Sequence, residues 1–288
     1  MDTRPFRSVL YIPGAKERAL EKATTLAADA IIFDLEDAVA IDEKARAREL
    51  LAQTLQSHDY GTRAKLVRIN ALSTEWGASD LDVIADARPE AILLPKVDNA
   101  EQIEALARLL DARAETSETR IWAMMESPQG VLNAADIARA PRMAGFIMGT
   151  NDLAKDMGCR FRPDRLPLML SLQMPLIAAK AAGIVIVDGV YNAFRDEAGL
   201  RAECQQGRDM GFDGKTLIHP LQLPIANEVF SPTEEEITLA RRQIEAFDAA
   251  TSRGEGVAVV DGSIVENLHI VTAKQILAKA QAFAELTE

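Results

Sequence analysis

AIIFDLEDAVAIDEKARARELLAQTL, residues 30–55, contains one complete structural unit. Ala30 to Phe33 form an unbroken apolar run with two isoleucines and a phenylalanine, the pattern of a strand buried on both faces. Asp34-Leu35-Glu36-Asp37 end that run with three acids. From Glu43 to Leu55 apolar residues then recur at three- and four-residue spacing, the period of an amphipathic helix. A buried strand followed by a helix is a βα unit, whose natural assembly is a parallel sheet.

The unit repeats on either side. Strand-like runs occupy Ser8 to Ile12, Lys65 to Ile69, Ala91 to Leu94, Ile121 to Met125, Gly145 to Met148, Ile184 to Val187 and Thr216 to Ile218, with amphipathic stretches such as Asn99 to Leu110 between them. Eight parallel strands, each followed by a helix, close most naturally into a (β/α)8 barrel, with a doubly wound sheet as the alternative. After Phe230 the pattern changes. Ser231-Pro232-Thr233 before Glu234, Glu235 and Glu236 reads as a helix start with acids in its first turn, and the helix runs to about Ser252. Val257 to Val260 and Ser263 to Val265 flank Asp261-Gly262, a two-residue hairpin turn, and a last helix covers about Leu268 to Leu286. The expected organisation is a barrel over residues 1–230 and a C-terminal helix-hairpin-helix arm over 231–288.

Composition limits the function. At 48% hydrophobic and 26% charged the chain suits a globular protein. No apolar run approaches the ~20 residues of a membrane span. The start, with Asp2, Arg4 and Arg7, lacks a signal-peptide pattern, so a cytoplasmic protein is expected. A net charge of −12 argues against nucleic acid as the main partner. Cys159 and Cys204 lie outside any CxxC or zinc spacing and read as buried small hydrophobes.

Chemistry in such barrels gathers where strands end at their carboxyl side. Those positions hold Asp34, Glu36 and Asp37 after strand two, Arg68 and Asn70 at strand three, Lys96 at four and Glu126 at five. Asn151 and Asp152 follow strand six, Asp188 strand seven and His219 strand eight. So many acids around one rim repel each other unless a cation compensates. Glu126 and Asp152, on adjacent strands, offer the hard oxygens that magnesium or manganese takes. Taken alone, Asp152 reads equally as a helix N-cap and Glu126 as a rim salt bridge. Glu36 and Asp37 suit metal-bound waters, and Asp34 a structural role. Arg68 either pairs with Glu36 or aims its guanidinium at a developing oxyanion. Tyr11-Ile12-Pro13-Gly14-Ala15-Lys16, with Lys22 beyond, reads as a phosphate site or as a solvated turn.

The segments RSVLYIPG, FDLEDAV, VRIN, LPKV, MMES, GTNDL, VDGVY and GKTLIHP resemble the citrate lyase β-subunit-like enzymes, from Arg7 to about Ala273. That family includes malyl- and citramalyl-coenzyme A lyases. The resemblance implies a β/α barrel with a C-terminal arm, bound magnesium, an acyl-coenzyme A substrate, and a homo-oligomer, trimeric or hexameric, whose arm covers a neighbour's site. It implies Glu126 and Asp152 as metal ligands and Arg68 as a substrate contact. Tyr11, Lys16 and Lys22 fall at the coenzyme A pocket, Ile218 and His219 along the acyl channel, and Asn151 near the acyl carboxylate. The longer segments MGTNDLAK, GRDMGFDGKTLIHP and VVDGSIVENLHIVTA resemble the family's thioester-hydrolysing branch. That implies magnesium-dependent hydrolysis of (3S)-malyl-CoA to (S)-malate and free coenzyme A. Carbon–carbon cleavage of malyl-, β-methylmalyl- or citramalyl-CoA is the alternative, and a non-catalytic acyl-CoA-binding subunit the third possibility. In the lyases the arm carries an aspartate; here Gly262-Ser263-Ile264-Val265 leads to Glu266, a base or nucleophile longer by one methylene, or simply an exposed residue at a helix start.

Overall fold

The computed structural model describes residues 4–285; Leu286, the expected end of the last helix, lies outside them. Strands β1 (Ser8–Pro13), β2 (Ala30–Asp34), β3 (Ala64–Arg68), β4 (Ala91–Leu94), β5 (Arg120–Met125), β6 (Met143–Met148), β7 (Val185–Asp188) and β8 (Gly214–Leu217) close in chain order into one parallel barrel. Helices separate the strands, among them Lys44–Ser57 and Ala100–Asp111. The latter starts on a reciprocal capping box between Asn99 and Gln102. Among the described residues no helix is long and apolar enough to cross a membrane.

Alternation along the strands decides which side chains reach the mouth. Val9, Ala30, Ile32, Ala64, Leu66, Trp122, Met124, Ile147 and Val187 belong to one buried cluster, and on each strand its members are two residues apart. Gly145 leaves room for the Trp122 indole, since a Cβ there would stand 2.6 Å from the ring. Continuing each series by two residues toward the carboxyl end gives Tyr11, Asp34, Arg68 and Glu126. Residues of the opposite parity face outward. Asp188 is paired with Lys215 in the β7–β8 register, on that outer parity, and both are fully buried. Asp188 is therefore not a mouth residue, contrary to its strand-end position.

The chain divides into two compact units, one spanning Phe6–Asn227 and the other made of the segment from Glu228 onward together with residues 4–5. The second holds helices Glu234–Ser252 and Asn267–Glu285 and an antiparallel hairpin, β9 (Ala258–Val260) with β10 (Ser263–Val265). Thr233 and Glu236 form a capping box at the first helix. Asp261 and Gly262 take φ of 50° and 78°, two left-handed residues in succession as a type I′ turn requires. Ala250, Ala258, Val260, Val265 and Ile270 form this unit's own small core. Cys204 is buried, and burial pushes its thiol up to about 12, whereas Cys159 is only half-buried, contrary to expectation.

Candidate active site

A pocket of about 330 Å³ opens at the carboxyl ends of the strands, lined by Tyr11, Asp34, Asp37, Arg68, Glu126 and Asp152, with Asn151, Asn192 and Ile218 also on its wall. Arg68 is its central cation. It donates from Nε and Nη2 to the two Asp34 oxygens at 2.7 and 2.6 Å, a bidentate pair between residues that are register neighbours on β2 and β3. Nη1 lies 3.1 Å from Glu36 Oε2 and 3.6 Å from Asp37 Oδ2, and the guanidinium sits 5.0 Å from the centre of the Tyr11 ring. Burial works against the charge, but Tyr11, Asp34 and Glu36 hold it well above its ordinary value. Asp34 also accepts the Glu36 and Ala38 backbone N–H groups at 2.9 and 3.0 Å, which moulds the acidic loop around the arginine. The partner of Arg68 is thus chiefly Asp34, with Glu36 second.

Burial raises the Glu36 carboxyl, while Arg68 and Lys96 oppose that rise. Lys96, just past β4, was noted at the rim but given no role by its sequence position. Its Nζ donates to Glu36 Oε1 at 2.7 Å and its backbone N–H to Glu126 Oε1 at 2.7 Å. The second bond needs a left-handed backbone, φ 53°, costly for a non-glycine residue and typical of functional sites. Glu126 is 3% exposed, and burial pushes its carboxyl up to about 7, with Glu36 and Asp152 adding to the rise. Gly149 permits this placement, because a Cβ there would stand 2.3 Å from Glu126 Cβ.

Asp152 is the third residue of helix Thr150–Asp156, whose N-cap is Gly149, so the N-cap reading of Asp152 does not hold. Its side chain is 33% exposed, and Lys155 lies 3.8 Å away. Glu126 keeps Oε2 without a protein partner among the described residues. No three His, Cys, Asp or Glu side chains among those residues are grouped to hold a metal alone. Two carboxylates of excess negative charge, one just past β5 and one in the first turn of the helix after β6, nevertheless match what magnesium usually takes from protein, the rest being water and substrate oxygens.

The remaining predicted residues lie around this centre. Tyr11 is half-buried with its hydroxyl pushed upward by burial, 3.9 Å from Met124 Sδ. Lys16 is the N-cap of the short helix Glu17–Ala23 and Lys22 lies in its last turn; both are exposed, and neither lines the pocket. Gly14 makes its close approach to the Asp34 carbonyl, which its N–H reaches at 2.8 Å, so packing against β2 accounts for the glycine without a phosphate. Ile218 lines the pocket, while His219 stacks on Phe194 at 4.4 Å and its Nδ1 accepts the Leu221 N–H. Asn70 turns aside to Leu35 O and Asp80 and braces the loop after β2. Glu266 belongs to the other unit; it is exposed, and its backbone N–H donates to His269 Nδ1 at 3.0 Å.

An eight-stranded barrel with an acid-rich mouth around a fixed arginine defines a class of enzymes that bind a cation and an anionic substrate. The chain belongs to the HpcH/HpaI aldolase/citrate lyase family, which residues 7–220 match. It is 65% identical over 280 residues to a (3S)-malyl-CoA thioesterase of Cereibacter sphaeroides, covering 97% of this chain and 96% of that one. It is 35% identical to the citrate lyase subunit beta of Escherichia coli, covering 97% and 94%. Among solved structures, CitE from Mycobacterium tuberculosis in complex with magnesium, acetoacetate and coenzyme A superimposes with a TM-score of 0.80, at 30% identity over 97% of this chain and 99% of that one.

Proposed function

We propose that the chain hydrolyses (3S)-malyl-CoA to (S)-malate and free coenzyme A with bound magnesium, in the cytoplasm. The carrying observation is the 65% identity to (3S)-malyl-CoA thioesterases along nearly the whole chain. The structure of CitE with magnesium and coenzyme A supports the same cofactor and substrate class. The 35% identity to citrate lyase subunits favours carbon–carbon cleavage as the second reading.

Glu126 and Asp152 would hold the metal, which when bound would supply positive charge to the oxygens of the acyl group. Arg68 cannot reorient, because Asp34 grips two of its nitrogens. Nη1 is turned to Met124 Sδ and Glu36, so the second N–H of Nη2 is left as a fixed donor toward the oxyanion that forms when the thioester carbonyl is attacked, and its direction matters more than a charge Asp34 already balances. Glu36 and Asp37 orient water at the mouth, with Lys96 fixing Glu36. Lys16 and Lys22 meet the phosphates at the nucleotide end. The protein assembles as a homo-oligomer, a trimer or hexamer, in which Glu266 reaches a neighbour's mouth as base to the attacking water or as nucleophile.

Incubation of the purified protein with malyl-CoA and magnesium tests the reaction. Free thiol with malate is the expected result; glyoxylate with acetyl-CoA identifies the lyase, and neither product identifies a binding subunit. A single turnover in ¹⁸O-water then assigns Glu266. Unlabelled malate, with ¹⁸O in the Glu266 carboxylate, means a Glu266 acyl intermediate opened at the glutamyl carbonyl; labelled malate with no label in Glu266 means that water attacks the malyl carbonyl.

A further inference from the structure

Asn192, which follows β7, is common to two cavities. It lines the inner pocket, and it also lines an open groove of about 570 Å³ running along Ala193, Phe194, Arg195 and Asp196. A ligand lying in both must pass over it. At this junction Asn192 and Asn151 join their carboxamides reciprocally: Asn192 Nδ2 donates to Asn151 Oδ1 at 2.8 Å, and Asn151 Nδ2 donates to Asn192 Oδ1 at 3.3 Å. Both side chains are exposed and bridge the loops after β6 and β7.

Each carboxamide has two N–H donors and two acceptor lone pairs. The reciprocal pair uses one donor and one acceptor of each, so a donor and an acceptor remain on both residues, held in fixed directions by the partner. Such an edge complements a secondary amide, which offers one N–H and one carbonyl. The pantetheine arm of an acyl-coenzyme A carries two secondary amides, the nearer only two carbons from the sulfur. Four bonds separate the thioester carbonyl carbon from that amide nitrogen, and Asn151 and Asn192 line the same pocket as Arg68.

We infer that the Asn151–Asn192 pair is a subsite for the amide of the pantetheine arm. This rests on the acyl-coenzyme A reading above, though not on which bond is cleaved. The subsite moves Asn151 from the acyl carboxylate, where the resemblance puts it, to the arm, and so separates recognition of the arm from recognition of the acyl group by Arg68 and the metal, and of the nucleotide by the lysines.

Calorimetric titration of the full-length protein with coenzyme A, and with 3′-phospho-ADP, which has the nucleotide but no arm, tests the assignment. Loss of neutral hydrogen bonds at an exposed site is worth a factor of about two to ten. Asn192→Ala and Asn151→Ala should each lower the ratio of coenzyme A to 3′-phospho-ADP affinity by about that factor. Asn192→Asp, which keeps the side-chain shape but replaces the Nδ2 donor to Asn151 with a charged acceptor, should lower the ratio as well. Because the pair acts as one surface, the double alanine variant should lose little more than either single one. An unchanged ratio, an equal loss for both ligands, or no binding of coenzyme A by the wild type overturns the inference. Malyl-CoA turnover assayed alongside reports on the proposed reaction separately: absent turnover with a lowered ratio rejects the reaction and keeps the subsite.

Discussion

On the outer face of the barrel Asp188 and Glu203 meet Lys215 and Arg165; at its mouth Asp34, Glu36, Asp37, Glu126 and Asp152 meet Arg68, Lys96 and the exposed Lys155. In the first cluster the signs balance. Arg165 grips both Asp188 oxygens at 2.8 and 2.7 Å, and Lys215 Nζ donates to Glu203 and to the Gly189 carbonyl, both at 2.6 Å. Burial alone would raise Asp188, yet Lys215 and Arg165 hold it below its ordinary value. In the second cluster acids outnumber cations, and Glu126 and Glu36 are pushed upward instead. Two networks in one barrel thus have opposite electrostatic outcomes. The balanced one secures the wall behind β7 and β8, and the unbalanced one is prepared for a positive ligand.

The sharpest way to separate them is to remove charge from each. Glu126→Gln and Asp152→Asn should each lower kcat at least about a thousandfold, about 4 kcal/mol in the barrier, because each removes an anionic oxygen from a hard-cation site. Metal-free thermal stability should hold or rise, since a repelling charge is lost. Near-normal turnover in either variant would break the comparison on the mouth side.

Lys215→Met should do the reverse, costing about 3–5 kcal/mol in urea unfolding, because it leaves buried acids short of a partner. The acid limb tests the same cluster. A carboxyl held below its unfolded value stabilises the fold above that value and loses the contribution as pH falls through its folded value. Asp188→Asn should therefore flatten the stability profile below about pH 4, the ordinary carboxylate value. An unchanged profile would mean that the outer cluster does not stabilise the fold.

Glu266→Gln should reduce turnover about a hundredfold while magnesium and substrate still bind. Mixing it with Asp152→Asn protomers, with exchange verified by tagged co-purification, should recover part of the activity if the arm works in a neighbour's site. Exchange without recovery counts against that arrangement. The smallest effect is expected for Lys16→Ala with Lys22→Ala, about a tenfold rise in KM with kcat little changed, as for remote contacts that bind substrate and transition state alike.

The barrel was legible because strand and helix periods recur in chain order, and every expected strand lies within two residues of its observed bounds. The acids and the arginine at the mouth were legible as strand ends. What escaped depended on facing and register, which no single strand carries. Asp188 and Arg68 both stand at strand ends, but parity turns one outward and the other inward. Asp34 became the main partner of Arg68 through the β2–β3 register. The bond from Lys96 to Glu126 requires a backbone conformation that a lysine does not announce, and Gly14 and Gly149 are explained by neighbours distant in sequence.

The central claim, that the acid excess at the mouth exists to hold a divalent cation, is tested most directly by calorimetric titration of magnesium into the metal-free protein and into Glu126→Gln. One equivalent bound per chain by the wild type, with affinity lost in the variant, is the predicted result. No binding by the wild type, or equal affinity in Glu126→Gln, would contradict it.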